Sequence, residues 1–216
     1  MQESTSREKI LKKIRAALIS KSANPYPHLD FDKQIFRMND DVPELIFARN
    51  FRDAGGNFVF CSDILEFAEN LLTLAQLKSL QGIVCVENSI AGFLEQCEFP
   101  VHRDTSLVSS SQAAVTLCES LVARTGSILV SSGQASGRLL PSFVPVHIVV
   151  AFTNQLVDDI QDGLQLLKKK YGDKQPSSFT FITGPSRTAD IGNELVKGAQ
   201  GPGELYLFLI DKSPNW

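Results

Sequence analysis

The sequence is poor in the residues that assemble metal centres. Of its 216 residues only four are cysteine and three histidine. Cys61, Cys85, Cys97 and Cys118 are widely spaced and never form CxxC, no HExxH occurs, and no histidine pair stands with a cysteine or carboxylate at metal-ligand spacing. No metal site and no bound cofactor are therefore expected in this chain. Apolar runs stop short of the roughly 18 residues a membrane span requires, and the polar opening MQESTSREKI does not read as a secretory signal. Neither GxxxxGK[ST] nor GxGxxG is present, which removes the two common phosphate-cradling fingerprints. A net charge of −3, with basic residues dispersed among acids, offers no general attraction to nucleic acid. Dispersed cysteines suit a reducing compartment. The expectation is a cytoplasmic protein without a membrane span.

What is present is ordinary globular composition, 43% hydrophobic and 21% charged, in a chain long enough for one large domain with an appendage. TSREKILKKIRAALIS carries Ile10, Leu11, Ile14, Ala17 and Leu18 on one helical stripe, and Thr5 with Glu8 fits a capping box. A proline-bearing connector follows, so residues 1–42 read as a helical arm and 43–216 as an α/β domain. From Pro43 helices and strands alternate. PELIFARNFRD reads as a helix stopped at Gly55-Gly56, NFVFC as a buried strand, and SDILEFAENLLTLAQLKSL as a helix capped by Ser62 or Asp63. GIVCVE is a strand and NSIAGFLEQ a short helix. VHIVVAF then forms a strand and NQLVDDIQDGLQLLKKKYG a helix capped by Asn154. SSFTFIT, RTADIGNELVKG and GELYLFLID read as strand, helix and strand. Such alternation predicts a mostly parallel sheet with helices packed on it. AAVTLCESLVARTGSILVSS interrupts it and predicts a hairpin turning at Thr125-Gly126. Lys168, Lys169 and Lys170 suit the negative end of a helix dipole.

The turn in FITGPSRTADIGNELVKG admits two readings. As a strand-to-helix connection at the carboxyl end of a parallel strand, it places unpaired amides and the positive end of a helix dipole where an anion can sit. Gly184 then permits close approach, Pro185 stiffens the turn, Ser186 and Thr188 offer hydroxyls, and Arg187 grips a carboxylate or phosphate. In the plainer reading Ser186 or Thr188 caps the helix, Asp190 steadies its first turn, and Arg187 pairs with an acid.

The order ARTGSILVSS, RLLPSFVPVHIVV, TGPSRTADIGNELVKGAQGPGELYLFLID closely resembles the lactate-utilisation (LUD) domain family, strongly over Ala123–Asp211 and only in layout before it. The resemblance implies a three-layer α/β/α sandwich related to the sugar-phosphate isomerase and coenzyme A transferase group. It further implies an accessory role in oxidation of L-lactate to pyruvate, with iron-sulfur clusters on partner subunits. The chain departs from the family pattern at Arg124, Gly192 and Gln200. Gln200 replaces a histidine, and an amide cannot shuttle protons at neutral pH.

The expected ligand is a small anionic metabolite, a carboxylate or phosphate, held by Gly184, Pro185, Ser186, Arg187, Thr188 and Asp190. Thr125 and Gly126 face it, and Arg138 is a second cation. For a stand-alone isomerase- or transferase-like enzyme, the nameable acid-base groups are His147, Asp190 and Glu119. A non-catalytic interaction module built on the first helix is the third reading.

Overall fold

The computed structural model describes residues 5–19, 25–30, 41–189 and 194–211. Its contacts divide the chain into two units, Met1–Arg37 and Met38–Trp216. In the first, Ser6–Ile19 forms helix α1, and the capping box closes as the spacing predicts. The Glu8 amide donates to Thr5 Oγ1 at 3.3 Å and the Thr5 amide to Glu8 Oε2 at 2.8 Å.

The second unit runs α2 (Pro43–Asp53), β1 (Asn57–Cys61), α3 (Ile64–Leu77), β2 (Ile83–Val84), α4 (Asn88–Gln96), β3 (Val101–His102), β4 (Ala113–Leu117), β5 (Ser120–Val122) and β6 (Ser127–Ser131). It continues through α5 (Leu140–Phe143), β7 (Val146–Phe152), β8 (Leu156–Val157), α6 (Ile160–Tyr171), β9 (Phe179–Ile182), β10 (Arg187–Thr188), β11 (Val196–Lys197) and β12 (Glu204–Ile210). Six strands make one parallel sheet in the order β1-β12-β7-β4-β2-β3. This is the α/β class that the alternation predicts. β7 lies inside the sheet with all seven residues buried, so VHIVVAF reads as an apolar run broken only by His147. The pleat divides it: Ile148 and Val150 face α3 and α4 and meet Phe67, Leu71, Ile90 and Leu94. Val149 and Ala151 face the other way, onto Phe47 and Phe51 of α2 and Leu121 and Ile128 of a second sheet. That second sheet, β8-β5-β6-β9, forms much of the third layer, with α6 against its outer side.

Four details correct the sequence reading. Ala113–Leu117 belongs to the parallel sheet, and only β5 and β6 form the hairpin, in the second sheet. The chain leaves one sheet for the other at Cys118-Glu119, where a carboxylate finds its own polar partners. The helix expected from Asn154 begins at Ile160. Asp159 caps it in a reciprocal box with Asp162, while Leu156–Val157 pairs with Leu121–Val122. β1 is an edge strand and not a buried one, with Phe60 about half exposed.

The last correction bears on function. Arg187 and Thr188 do not begin a helix; they pair antiparallel with Lys197 and Val196. The ladder extends beyond them, because Ser186 N–H donates to the Pro202 carbonyl and Gly198 N–H to that of Ser186. These tertiary bonds, with β-branched Thr188 and Val196 opposite each other, override the helical spacing. Residues 190–193, Asp190 and Gly192 among them, lie outside the described residues.

Candidate functional site

Because β9 is in the second sheet, its carboxyl end delivers Thr183 and Gly184 to the amino-terminal rim of the parallel sheet. Pro185 shares a cleft there with Asn57, Val146 and Glu204, the first residues of β1, β7 and β12. The Gly184 segment therefore has no helix start beside it among the described residues, nor the carboxyl-end position that open parallel sheets ordinarily use. It is held against the end of α2. Arg187 Nη2 donates to the Ala54 carbonyl at 2.6 Å, a cation at the negative end of a helix. The fork expected to grip a ligand thus uses a donor as a helix cap and leaves the remainder exposed.

Two clefts flank this segment. The larger, about 1170 Å³, lies between the strand starts and the run Lys197–Gly201. The smaller, about 410 Å³, lies beside Thr180, Ile182 and Leu205. Ser142, Pro185, Gln200 and Gly201 line both, so they form the partition. Within the glycine-rich run, Gly198 N–H and Gly203 N–H are bonded to the Ser186 and Pro145 carbonyls. The amides of Ala199, Gln200 and Gly201 have no partner among the described residues. Beside them Lys197 is exposed and makes no ion pair or hydrogen bond among the described residues. Facing it, Glu204 is engaged by Lys78 at 2.7 Å and Tyr206 at 2.9 Å. The Lys78 hydrogen bond holds its carboxyl below the usual range, so it is ionised and occupied. Lys197 and these amides went unnoticed in the sequence reading, although a lysine directly before GAQGPG was the visible signal.

The remaining expected residues divide differently. Thr125 reaches the segment through hydroxyls. Ser127 Oγ lies 2.7 Å from both Thr125 Oγ1 and Thr183 Oγ1, one residue before Gly184. Gly126 is a joint, since a Cβ there would stand 2.4 Å from the Phe51 nitrogen of α2. Asn50 completes it by donating to the carbonyls of Ala123 and Arg124 at 2.9 and 3.0 Å. Arg124 forms a bidentate pair with Asp159, at 2.9 and 2.7 Å, tying the hairpin turn to the start of α6. With both side chains about one-third exposed, Arg124→Ala is expected to lower stability by about 1 kcal/mol in urea titrations. An unchanged midpoint would remove this pair from the account. Arg138 lines a separate cleft of about 180 Å³.

Of the acid-base candidates, neither described one lines the two clefts. The Glu119 side chain is 3% exposed and accepts from Lys170 at 2.7 Å, Ser131 at 2.6 Å and Tyr171 at 2.7 Å. Burial alone would raise its pKa, but these three donors, Lys170 foremost, hold it below the ordinary range. Saturated and ionised, it braces β6 against α6. His147 is fully buried on β7, with Nε2 2.9 Å from Thr116 Oγ1 and Nδ1 unpartnered. Burial lowers its pKa to about 3, so the ring stays neutral. Asp190 lies outside the described residues. The thiols of Cys85 and Cys118 are buried and raised by burial, Cys85 to about 12. Among the described residues no three His, Cys, Asp or Glu side chains gather to hold a metal ion, and no helix is long and apolar enough to cross a membrane.

Residues 105–210 match the LUD domain model. Lactate utilization protein C of Bacillus licheniformis is 30% identical over 112 residues, covering 50% of this chain and 47% of that protein. The protein of the same name from Halalkalibacterium halodurans is 32% identical over 128 residues, 54% of each chain. The chain thus spans about half the length of these curated relatives. The crystal structure of a DUF162 family protein from Deinococcus radiodurans superposes with a TM-score of 0.61 at 16% identity. It covers 78% of this chain and 96% of that one, a likeness of fold. The matched stretch, Thr105–Ile210, is similar to the LUD domain and contains the Gly184 segment and the Lys197–Gly201 run.

Proposed function

We propose that this chain serves lactate utilisation by holding a small carboxylate, such as lactate or pyruvate, at the Lys197–Gly201 wall of the larger cleft. The observation that carries the reading is the Lys197 ammonium, which makes no ion pair or hydrogen bond among the described residues, beside three amides without partners there. An ammonium and consecutive backbone N–H groups together make a receptor for negative charge. Arg187 stands behind the same partition and adds positive potential, while Glu204 is occupied by Lys78. The names of the relatives supply the physiological context, and the family match covers the cleft lining apart from Gly55 and Asn57.

In this reading the chain is an accessory, cytoplasmic subunit. Oxidation of a 2-hydroxy acid to a 2-oxo acid removes two electrons and two protons, and iron-sulfur partner subunits take the electrons. Gln200 at the partition orients the bound carboxylate by hydrogen bonding and moves no proton. Glu119 and His147, one saturated and the other buried and neutral, stand outside this role.

The test is calorimetric titration with L-lactate and with pyruvate at low ionic strength. Lys197→Ala is expected to weaken binding about tenfold, the usual scale for loss of a charge-assisted hydrogen bond. Its thermal midpoint should not move, since the side chain is exposed and unbonded. Equal affinity in wild type and variant would overturn the assignment.

A further inference from the structure

The third cleft carries a different chemistry. It measures about 180 Å³ and is lined by Arg138 together with Ser142, Ser178 and Thr180, and among the described residues no acidic one borders it. Arg138 is exposed and makes no ion pair or hydrogen bond among the described residues. The hydroxyls of Ser142, Ser178 and Thr180 likewise have no partner there.

The loop that presents Arg138 is well braced. Ser131 N–H donates to Gln134 Oε1 at 2.9 Å, and Gly137 N–H to the Gln134 carbonyl at 3.0 Å. Two buried carboxylates hold its flanks: Glu87 accepts from Ser136 N–H at 3.2 Å and Glu119 from Ser131 Oγ at 2.6 Å. Neither carboxylate lines the cleft. A loop so anchored fixes where the arginine begins, while its guanidinium remains available. Holding the backbone in this way favours binding because only the side chain is left for the ligand to order.

We infer that this cleft is a second anion site, which shares only Ser142 with the cleft of the carboxylate wall, and that it takes the phosphoryl group of a small phosphate monoester. Arginine supplies a planar fork and the hydroxyls supply further donors from other directions, which suits the several oxygens of a tetrahedral oxyanion. The volume is below the roughly 300 Å³ at which sites for larger organic ligands begin, so a head group fits and little else. Pro141, Ser142, Thr180 and Ile182 also line the 410 Å³ cleft. The organic part of the ester therefore extends along Ser142 and Thr180 toward the Gly184 segment.

Isothermal titration with inorganic phosphate and with glycerol 3-phosphate, at low salt to limit screening, tests this. The ester is expected to bind more tightly than inorganic phosphate. Arg138→Ala should weaken both about tenfold or more, Arg138→Lys should recover part of the loss, and Thr180→Val should weaken both severalfold. Lys197→Ala should leave phosphate affinity unchanged, and Arg138→Ala should leave lactate affinity unchanged, so this site and the carboxylate wall succeed or fail separately. No phosphate binding by the wild-type protein, or equal binding by Arg138→Ala, would overturn the site. An ester no tighter than inorganic phosphate would overturn the extension into the neighbouring cleft.

Discussion

At pH 5 the folded protein is expected to be about 2 kcal/mol less stable than at pH 7, and replacing His147 together with Thr116 should remove that loss. The ring is fully buried, and burial lowers its pKa to about 3. In the unfolded chain a histidine titrates near 6.5. Between those values the unfolded state carries one more proton than the folded state, so stability falls as pH drops, by about 1.4 kcal/mol per unit. Integrated from pH 7 to 5, with the first half-unit contributing little, this gives about 2 kcal/mol. Asp159, Glu119 and Glu204 do not distort the window, because their folded pKa values are lowered. Their contribution is present above the unfolded value near 4 and is lost only as pH falls through the folded one.

The double variant His147→Leu with Thr116→Val removes the hydrogen bond and both of its polar partners. The register neighbours of His147, Ala114 and Leu205, are already apolar. Exchanging a buried polar pair, one nitrogen of which is unpartnered, for apolar groups of similar shape is expected to be near neutral at pH 7. Urea titrations of both proteins at pH 7 and pH 5 decide the matter. An equal acid loss in wild type and double variant would show that His147 is not its source.

Much of this architecture was legible because it rests on periodicity. A run of seven buried residues such as VHIVVAF has few homes other than an inner parallel strand, and the Thr5–Glu8 box closes by local chemistry alone. The second sheet was not legible in the same way. Its strands at Ser120–Val122 and Leu156–Val157 are too short to carry a period, and their pairing depends on partners far along the chain. The segment from Arg187 failed for a related reason. Its spacing suits a helix, yet Ser186, Gly198 and Pro202 bond one another through the backbone, where side-chain pattern leaves no trace. Moving β9 into the second sheet then shifted the Gly184 segment from one rim of the parallel sheet to the other. The residue types suggested an anion by their chemistry, whereas Lys197 became visible only once β11 lay beside β10.

The close approach of that segment to α2 sets the second large effect. Gly184→Ala is expected to cost about 3 kcal/mol, whereas Gly55→Ala, on the other side of the same contact, should cost about half as much. Both positions have positive φ, +76° and +90°, so each substitution carries the strain of a left-handed backbone, roughly 1–2 kcal/mol. They differ in what the new methyl meets. At Gly184 it would fall 2.2 Å from the Ala54 carbonyl oxygen, a backbone atom fixed by the end of α2. Relief requires the segment and the helix to part, which adds the usual overpacking penalty of another 1–3 kcal/mol. At Gly55 it would meet the guanidinium tip of Arg187, which can swing aside at the cost of one exposed hydrogen bond. Urea titration of the two variants measures the difference, and lactate titration reads its consequence. Because Pro185 belongs to the partition between the clefts, lifting the segment from α2 should weaken lactate binding more in Gly184→Ala than in Gly55→Ala, which only adds a methyl at the cleft edge and shifts the Arg187 tip. Equal stability losses in the two variants would mean that this contact is softer than the packing of Gly184 on Ala54 implies.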